Sequence, residues 1–390
     1  MADNKIERRE FMKRTGVAGL GLAAIPSAMA FTSSEEKEKQ INIKVNFTRD
    51  GLDFSPNEYS ILLSEISKGE KIKSDSYSNG GIVEELEKKM AKVLGKEAAV
   101  YMPTGTLANH IAVRKLAEHN TRVIVQGESH LYNDSGDMAQ VLSGLNLIPL
   151  ANGKSTFTLE DVKAEIARSS NGKVTTDVGV ISIETPIRRV QNKIFNFSEM
   201  KVISEYAKQN DIKMHLDGAR LFNACLHMDK SPAEVANLFD TVYVSLYKDF
   251  NAASGAIVAG SKDFCEGLYH TRRMFGGSQP SAWPFAAVAL QYVDSFLEDY
   301  KNSVKKAEEL FKMLEDLGAF RLEKIEGGTN VMKLHVLKGD PNTIRKNLVK
   351  NRVILYEPTN DFKGFYIKIN PSIFRIEINQ LKGWFMDAIG

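Results

Sequence analysis

Lys248 stands where an apolar run ends, in "VSLYKDFNAASGAIVAG", residues 244–260. Lysine is among the residues least often buried, and small residues follow this one. An ammonium removed from water gives up its proton more readily, and the free amine condenses with an aldehyde to an imine. The position also suits a lysine that only snorkels from a strand end. Asp217, in "MHLDGARLFNA" (214–224), follows an apolar run and precedes Gly218. A carboxylate there is costly unless it meets a cation or donors. A salt bridge to Arg220, a helix cap or a bound cation would each meet that need. In "YMPTGTLAN" (101–109), Gly105 and Thr106 open a helix directly after a strand. Helix-start amides with the helix dipole behind them bind anions such as phosphate, although Thr-Gly also serves for capping alone.

Each stretch is ambiguous alone, but together they describe one ligand. A phosphate site, a carboxylate and an imine-forming lysine are the requirements of pyridoxal phosphate. The phosphate anchors it, the carboxylate keeps the pyridine nitrogen protonated, and the lysine holds the aldehyde until an amino substrate displaces it.

The elements between these stretches explain how they could meet. "AAVYM", "TRVIVQ", "VGVISIE", "IKMHLD" and "TVYVSL" read as strands. "IVEELEKKMAKVL", "PTGTLANHIAVRKLAEH" and "SEMKVISEYAKQN" carry helical apolar spacing or open as helices. Alternating strands and helices predict an α/β fold with a mainly parallel sheet covered on both faces. Ligands of such sheets sit beyond the carboxyl ends of the strands. After about Pro284 the character changes. A long helical pattern, "FAAVALQYVDSFLEDYKNSVKKAEELFKMLEDL", leads into "NVMKLHVL", "VILYEP" and "IKINPSIFRIEIN", which read as strands of a smaller α+β domain. The expected division is 44–284 for an amino-terminal arm and large domain, and 285–390 for a small one.

Residues 1–30 stand apart. "ERREFMKRTGVAGLGLAAIPSAMA" sets Arg8 and Arg9 before Phe11 and Lys13, then a weakly apolar stretch, then Ala28-Met29-Ala30. This reads as a twin-arginine export signal, with a solvated linker at 31–43. Its apolar stretch is too short to span a bilayer. An exported protein, periplasmic or on the envelope side, is expected, with the twin-arginine translocation machinery as a partner. Of 390 residues 43% are hydrophobic and 26% charged, which is ordinary globular composition. Without residues 1–30 the chain holds 46 basic and 46 acidic residues, so charge gives no reason to expect nucleic-acid or membrane binding. Short basic patches such as His270-Thr271-Arg272-Arg273 read as solvated faces. Two cysteines, Cys225 and Cys265, make no disulfide framework; they read as free thiols in apolar company or one bridge at most. No Cys/His cluster has metal-ligand spacing.

The stretches "SDSYSNGGIVEELEKKMAKVLGKEAAVYMPTGTLAN", "GESHLYNDSG", "HLDGARLFNA" and "VSLYKDFNAASGAIVAG", in that order, resemble the threonine aldolase and β-eliminating lyase family of fold type I pyridoxal-phosphate enzymes. The resemblance runs over about residues 44–380 and implies the site residue by residue. Lys248 would be the Schiff-base lysine, Asp217 the partner of the pyridine nitrogen, and Arg220 the partner of the ring hydroxyl. Gly105 and Thr106 would hold the phosphate, and His130 would stack on the ring. Arg375, in "PSIFRIEIN", lines up with an arginine that clamps the substrate carboxylate, and Tyr77 with a tyrosine near the site. A homodimer or homotetramer with shared sites is implied as well.

The sequence departs from the family on the substrate side. The family's Glu-Asn-Thr-His run is "IETPIRR" here, which keeps Glu184 and puts Ile187 in the histidine position. Isoleucine can neither orient a hydroxyl nor move a proton. Arg49, in "TRDG", falls about where a substrate-contacting serine would be. Gln279 or Pro280 stands where the family often has an arginine that reaches a neighbouring subunit's phosphate. The resemblance implies retro-aldol cleavage of a threonine-like β-hydroxy-amino acid to glycine and an aldehyde. His130 or a bound water would be the base. The alternative on the same scaffold is another Cα reaction, β-elimination or racemisation, with Lys248 as base. A non-catalytic binding protein would be favoured had Lys248 or Asp217 been missing.

Overall fold

The structure, a computed structural model, describes residues 44–69 and 72–390. The signal at 1–30 and the linker at 31–43 lie outside the described residues. The chain forms two compact units, one of residues 72–304 and 323–333, the other of 44–69, 305–322 and 334–390. The division differs from a single cut near residue 284, for physical reasons that lie at both ends of the chain. Val45–Asn46 pairs in parallel with Val353–Ile354, and the Phe47 ring packs 6.2 Å from Phe311 and 6.4 Å from Phe385. These contacts join the amino-terminal segment to the carboxy-terminal one. Helix Trp283–Val293 packs on helix Gly81–Leu94, both within the larger unit.

The larger unit is built on a seven-stranded sheet. Its strands are β1 (Ala98–Met102), β2 (Arg122–Gln126), β3 (Asn146–Leu150), β4 (Val178–Glu184), β5 (Lys213–Asp217), β6 (Thr241–Ser245) and β7 (Ala256–Gly260). Their order is β1-β7-β6-β5-β4-β2-β3. All run parallel except β7, which is antiparallel to both its neighbours. Every residue of β4, β6 and β7 is buried, as a sheet covered on both faces requires. The five strands expected from the apolar runs all form. β3 is not among them, its apolar run being broken by Pro149; it lies at the sheet edge, where a missing N–H is tolerated.

The reversal from β6 into β7 places Lys248. Leu246 donates its N–H to the Gly255 carbonyl (3.0 Å) and accepts one from Ala252 (3.2 Å), closing residues 246–255 into a compact loop just beyond the carboxyl end of β6. Gly255 has φ +109°, and a Cβ there would meet the Tyr101 ring at 2.8 Å and Leu246 at 3.0 Å. That glycine serves the loop's own packing, while Ala253 and Ser254 face the cavity described below.

Two expectations after residue 284 change. The long helical pattern forms two helices, Trp283–Val293 and Phe296–Asp316, with Ser295 bonding Asp299 at the start of the second. "IKINPSIFRIEIN" is strand only at its start. Gly364–Lys368 joins Phe320–Lys324 and Val331–Val336 in a three-stranded sheet. A 3-10 helix, Pro371–Arg375, and a helix, Ile378–Asp387, then follow. Asn370 accepts the Ser372 N–H and Pro371 fills the first turn, so capping chemistry overrides the β-branched run. No helix among the described residues is long and apolar enough to cross a membrane.

Candidate active site

The carboxyl ends of β4, β5 and β6 align Glu184, Asp217 and Tyr243 in register, each the partner of the next. Above them lies a cavity of about 360 Å³, a size typical of small-molecule sites. Gly105, Thr106, His130, Asp217, Arg220 and Lys248, which the sequence singles out, all line it. So do Glu184, Arg188, Tyr243 and Tyr247.

Asp217 is 3% exposed. Its carboxylate accepts from Asn109 Nδ2 (2.6 Å) and the Ala219 N–H (3.1 Å). Asn109 Oδ1 lies 2.9 Å from His215 Nε2, and His215 Nδ1 lies 2.8 Å from Thr241 Oγ1. An amide oxygen only accepts, so Nε2 carries the His215 proton and Thr241 donates to Nδ1. Burial pushes His215 down to about 4, which keeps it in this neutral form. The chain Asp217–Asn109–His215–Thr241 thus joins β5 and β6 to helix Gly105–Ala117. Sequence reasoning missed Asn109 and His215, although His215 lies two residues before Asp217 on one strand face, and Asn109 four residues beyond Gly105.

Helix Gly105–Ala117 begins at Thr104, whose side chain accepts the Leu107 N–H. Its first-turn amides have no acceptors within the helix and point toward the cavity end. Gly105 must be glycine because the Tyr243 hydroxyl lies against it; a Cβ would come within 1.9 Å of that oxygen. Burial and the Asp217 charge hold the Tyr243 phenol neutral, well above its ordinary pKa.

Glu184, 4% exposed, ties two loops to the site. Its carboxylate accepts from the backbone N–H of His130 (2.6 Å) and of Arg188 (3.2 Å). Burial, with the Asp217 charge adding to it, pushes Glu184 up to about 7. Burial pulls His130 below the usual imidazole value; Lys248 and Arg188 add to this, and Asp217 and Asp134 oppose it. His130 is therefore a neutral imidazole near pH 7. The Lys248 ammonium is half-buried, 5.3 Å from the centre of the Tyr247 ring.

This donor set fits pyridoxal phosphate. Lys248 offers the amine, Asp217 a buried carboxylate with fixed donors, Arg220 a cation 5% exposed, and Thr106 with the helix start a phosphate seat. The lining does not include Tyr77, Arg49 or Arg375. Tyr77 is 46% exposed, with Arg273 over its ring at 5.1 Å. Its carbonyl accepts from the buried Arg272 guanidinium, which also binds the carbonyls of Ser78 and Tyr101. Arg49 and Arg375 belong to the other unit. Arg49 is exposed, 3.8 Å from Asp53, and Arg375 pairs with Glu58 at 3.2 Å beneath the Phe54 ring. The thiols of Cys225, buried, and Cys265, partly exposed, are free. Burial raises both, Cys265 to about 11, so neither is a ready thiolate. No cluster of metal-binding residues occurs among the described residues.

Ile187, in the position where the family has a histidine, does not face the cavity. Its side chain is fully buried, and its backbone N–H bonds the Lys193 carbonyl at 2.9 Å. The turn after β4 presents Arg188 to the cavity instead.

Fold and site together define an enzyme scaffold of the fold type I pyridoxal-phosphate class. Serine palmitoyltransferase of S. paucimobilis, solved with bound PLP and myriocin, shares this fold at TM-score 0.61 and 15% identity, over 88% of this chain and 86% of its own. The family model of the beta-eliminating lyases matches residues 65–336, and the chain belongs to that family. Low-specificity L-threonine aldolase 1 of Arabidopsis thaliana is 27% identical over 277 residues, 69% of this chain and 77% of its own. The crystal structure of a candidate L-allo-threonine aldolase from Listeria monocytogenes superposes with TM-score 0.70 at 27% identity, covering 87% of this chain and 95% of its own.

Asn109→Ala would leave Asp217 short of a donor and His215 without its acceptor. Chemical denaturation should show a loss of about 1–3 kcal/mol. A change within about 0.5 kcal/mol, the range of an ordinary surface substitution, would mean that the chain does not hold Asp217.

Proposed function

We propose that this protein cleaves threonine-like β-hydroxy-α-amino acids into glycine and an aldehyde, with pyridoxal phosphate held at Lys248. The observation that carries this reading is the convergence of Lys248, Asp217, Arg220 and Thr106 on one cavity in a beta-eliminating lyase. The threonine aldolase names of its relatives in Arabidopsis and Listeria support it.

When bound, the cofactor supplies an aldehyde for Lys248 and a sink for the electron pair released at Cα. Asp217, its position set by Asn109 and the Ala219 N–H, would hold the pyridine nitrogen. Arg220 holds the ring oxygen as an anion. Thr106 and the amides of its helix hold the phosphate. His130, neutral near pH 7, takes the proton of the substrate β-hydroxyl, directly or through a bound water. The Cα–Cβ bond then breaks, the β-carbon leaves as the aldehyde, and Cα takes up a proton to give glycine. Tyr77 meets substrate in a homodimer or homotetramer. Residues 1–30 direct export by the twin-arginine route, which carries folded proteins, so the cofactor is loaded before translocation.

Proton NMR of the mature, cofactor-loaded protein with threonine and allo-threonine isomers should show glycine and acetaldehyde, and Lys248→Ala should abolish both. A 2-oxo acid with ammonia, or Cα exchange without cleavage, would replace the reaction with elimination or racemisation. Because His130 is lowered from 6.5, it stays deprotonated to below that pH. The acid limb of kcat/KM should therefore lie under pH 6.5, and His130→Asn should remove it and slow turnover by about 10²–10⁴. An unmoved acid limb in His130→Asn would assign the base elsewhere. Replacing Arg8 and Arg9 by lysine should leave holoenzyme in the cytoplasm; unchanged export counts against the signal.

A further inference from the structure

We propose that Arg188 reads the substrate side chain and favours β-hydroxy-amino acids bearing an anionic group there, a carboxylate above all. The inference rests on the amino-acid lyase reading above and narrows its substrate class.

Three cationic side chains line the cavity: Lys248, Arg220 and Arg188. In the reading above the first two serve the cofactor's aldehyde and ring oxygen, and Thr106 its phosphate, which leaves Arg188 without an assigned cofactor group. It arrives by a local exchange, since the turn after β4 buries Ile187 completely and turns the next residue to the cavity. The guanidinium is braced rather than loose. Nη2 donates to Asp134 Oδ2 at 2.5 Å, and the backbone N–H to Glu184 at 3.2 Å. Asp134 is shared, since its other oxygen accepts from Arg189 Nη1 at 3.0 Å, and Arg189 also meets Glu128 at 3.5 Å. Arginine carries five N–H donors, and 47% of the Arg188 side chain stays exposed for further partners. Its neighbours in the cavity are His130 and Glu184, the first neutral near pH 7 and the second drawn toward its neutral form. A carboxylate on the substrate β-carbon would thus meet a guanidinium fixed by Asp134 that keeps donors to spare, and planar carboxylate recognition is what arginine does best.

The test uses cofactor-loaded wild type, Arg188→Met and Arg188→Gln, the last as the variant that keeps a polar group toward Asp134. Two ratios are measured. One is kcat/KM for 3-hydroxyaspartate over threonine, from glycine release. The other is the affinity for aspartate over alanine, from the change in the cofactor's visible absorption. Wild type should favour the anionic member of each pair, and both variants should lose about tenfold or more of that preference. Taking ratios removes any general loss of activity or folding. Should no amino acid release glycine while the aspartate preference still collapses in the variants, the aldol reading fails and the role of Arg188 stands. Equal ratios in wild type and variants overturn it. So does a tenfold weaker cofactor affinity in the variants with unchanged ratios, which would assign Arg188 to the cofactor.

Discussion

Asp217 is a carboxylate at the end of a central parallel strand, 3% exposed. Such a group keeps its charge only where fixed donors replace lost water. Here the donors are one amide side chain and one backbone N–H. The amide belongs to Asn109, so its orientation is as important as its presence; flipped, it would turn an oxygen toward Asp217. His215 prevents the flip by donating to that oxygen, and Thr241 settles the histidine tautomer by donating to its other nitrogen. Four residues from three elements thus fix one charge. The same bonds set the start of helix Gly105–Ala117 at a defined distance from β5, which relates an anion seat to a carboxylate.

A second layer of control comes from the carboxylate beside it. Glu184 is the register partner of Asp217, and both are nearly fully buried. Burial, with the Asp217 charge adding to it, pushes Glu184 up to about 7. Its backbone bonds to His130 and Arg188 hold the two loops that form one wall of the cavity. A carboxyl drawn toward its neutral form weakens the negative charge of that wall, which favours the positive field of Arg220 and Arg188. An anionic cofactor and an amino-acid substrate both profit from that field.

Much of this was legible beforehand, and the reasons are particular. β4, β5 and β6 are short, buried and uninterrupted, and each ends in a polar residue, so "VGVISIE" and "IKMHLD" announce both the sheet and its functional edge. Lys248 was readable because a lysine at a buried strand end needs a reason. Other parts were not. β3 hides behind Pro149 and an exposed start. The amino-terminal segment joins the carboxy-terminal unit through contacts that cross some 300 residues of sequence, which no local pattern records. "PSIFRIEIN" has strand composition, yet Asn370 and Pro371 turn it into a 3-10 helix. Arg375 in that helix pairs with Glu58, a partner invisible to any motif.

Ile187 shows why position in a motif differs from position in a site. Matching "IETPIRR" against Glu-Asn-Thr-His places isoleucine at a catalytic position and leaves a functional gap there. The folded turn orders these residues differently. Residue 187 bonds back to Lys193 and faces the core, and residue 188 takes the wall. Where the family's run ends in an imidazole, this turn brings a guanidinium. The exchange replaces a group that can move a proton with one that can only attract an anion. His130 lies on the neighbouring loop, held through the same Glu184 that holds Arg188. One buried carboxylate thereby bonds both loops, so His130 and Arg188 enter the cavity wall from a single anchor.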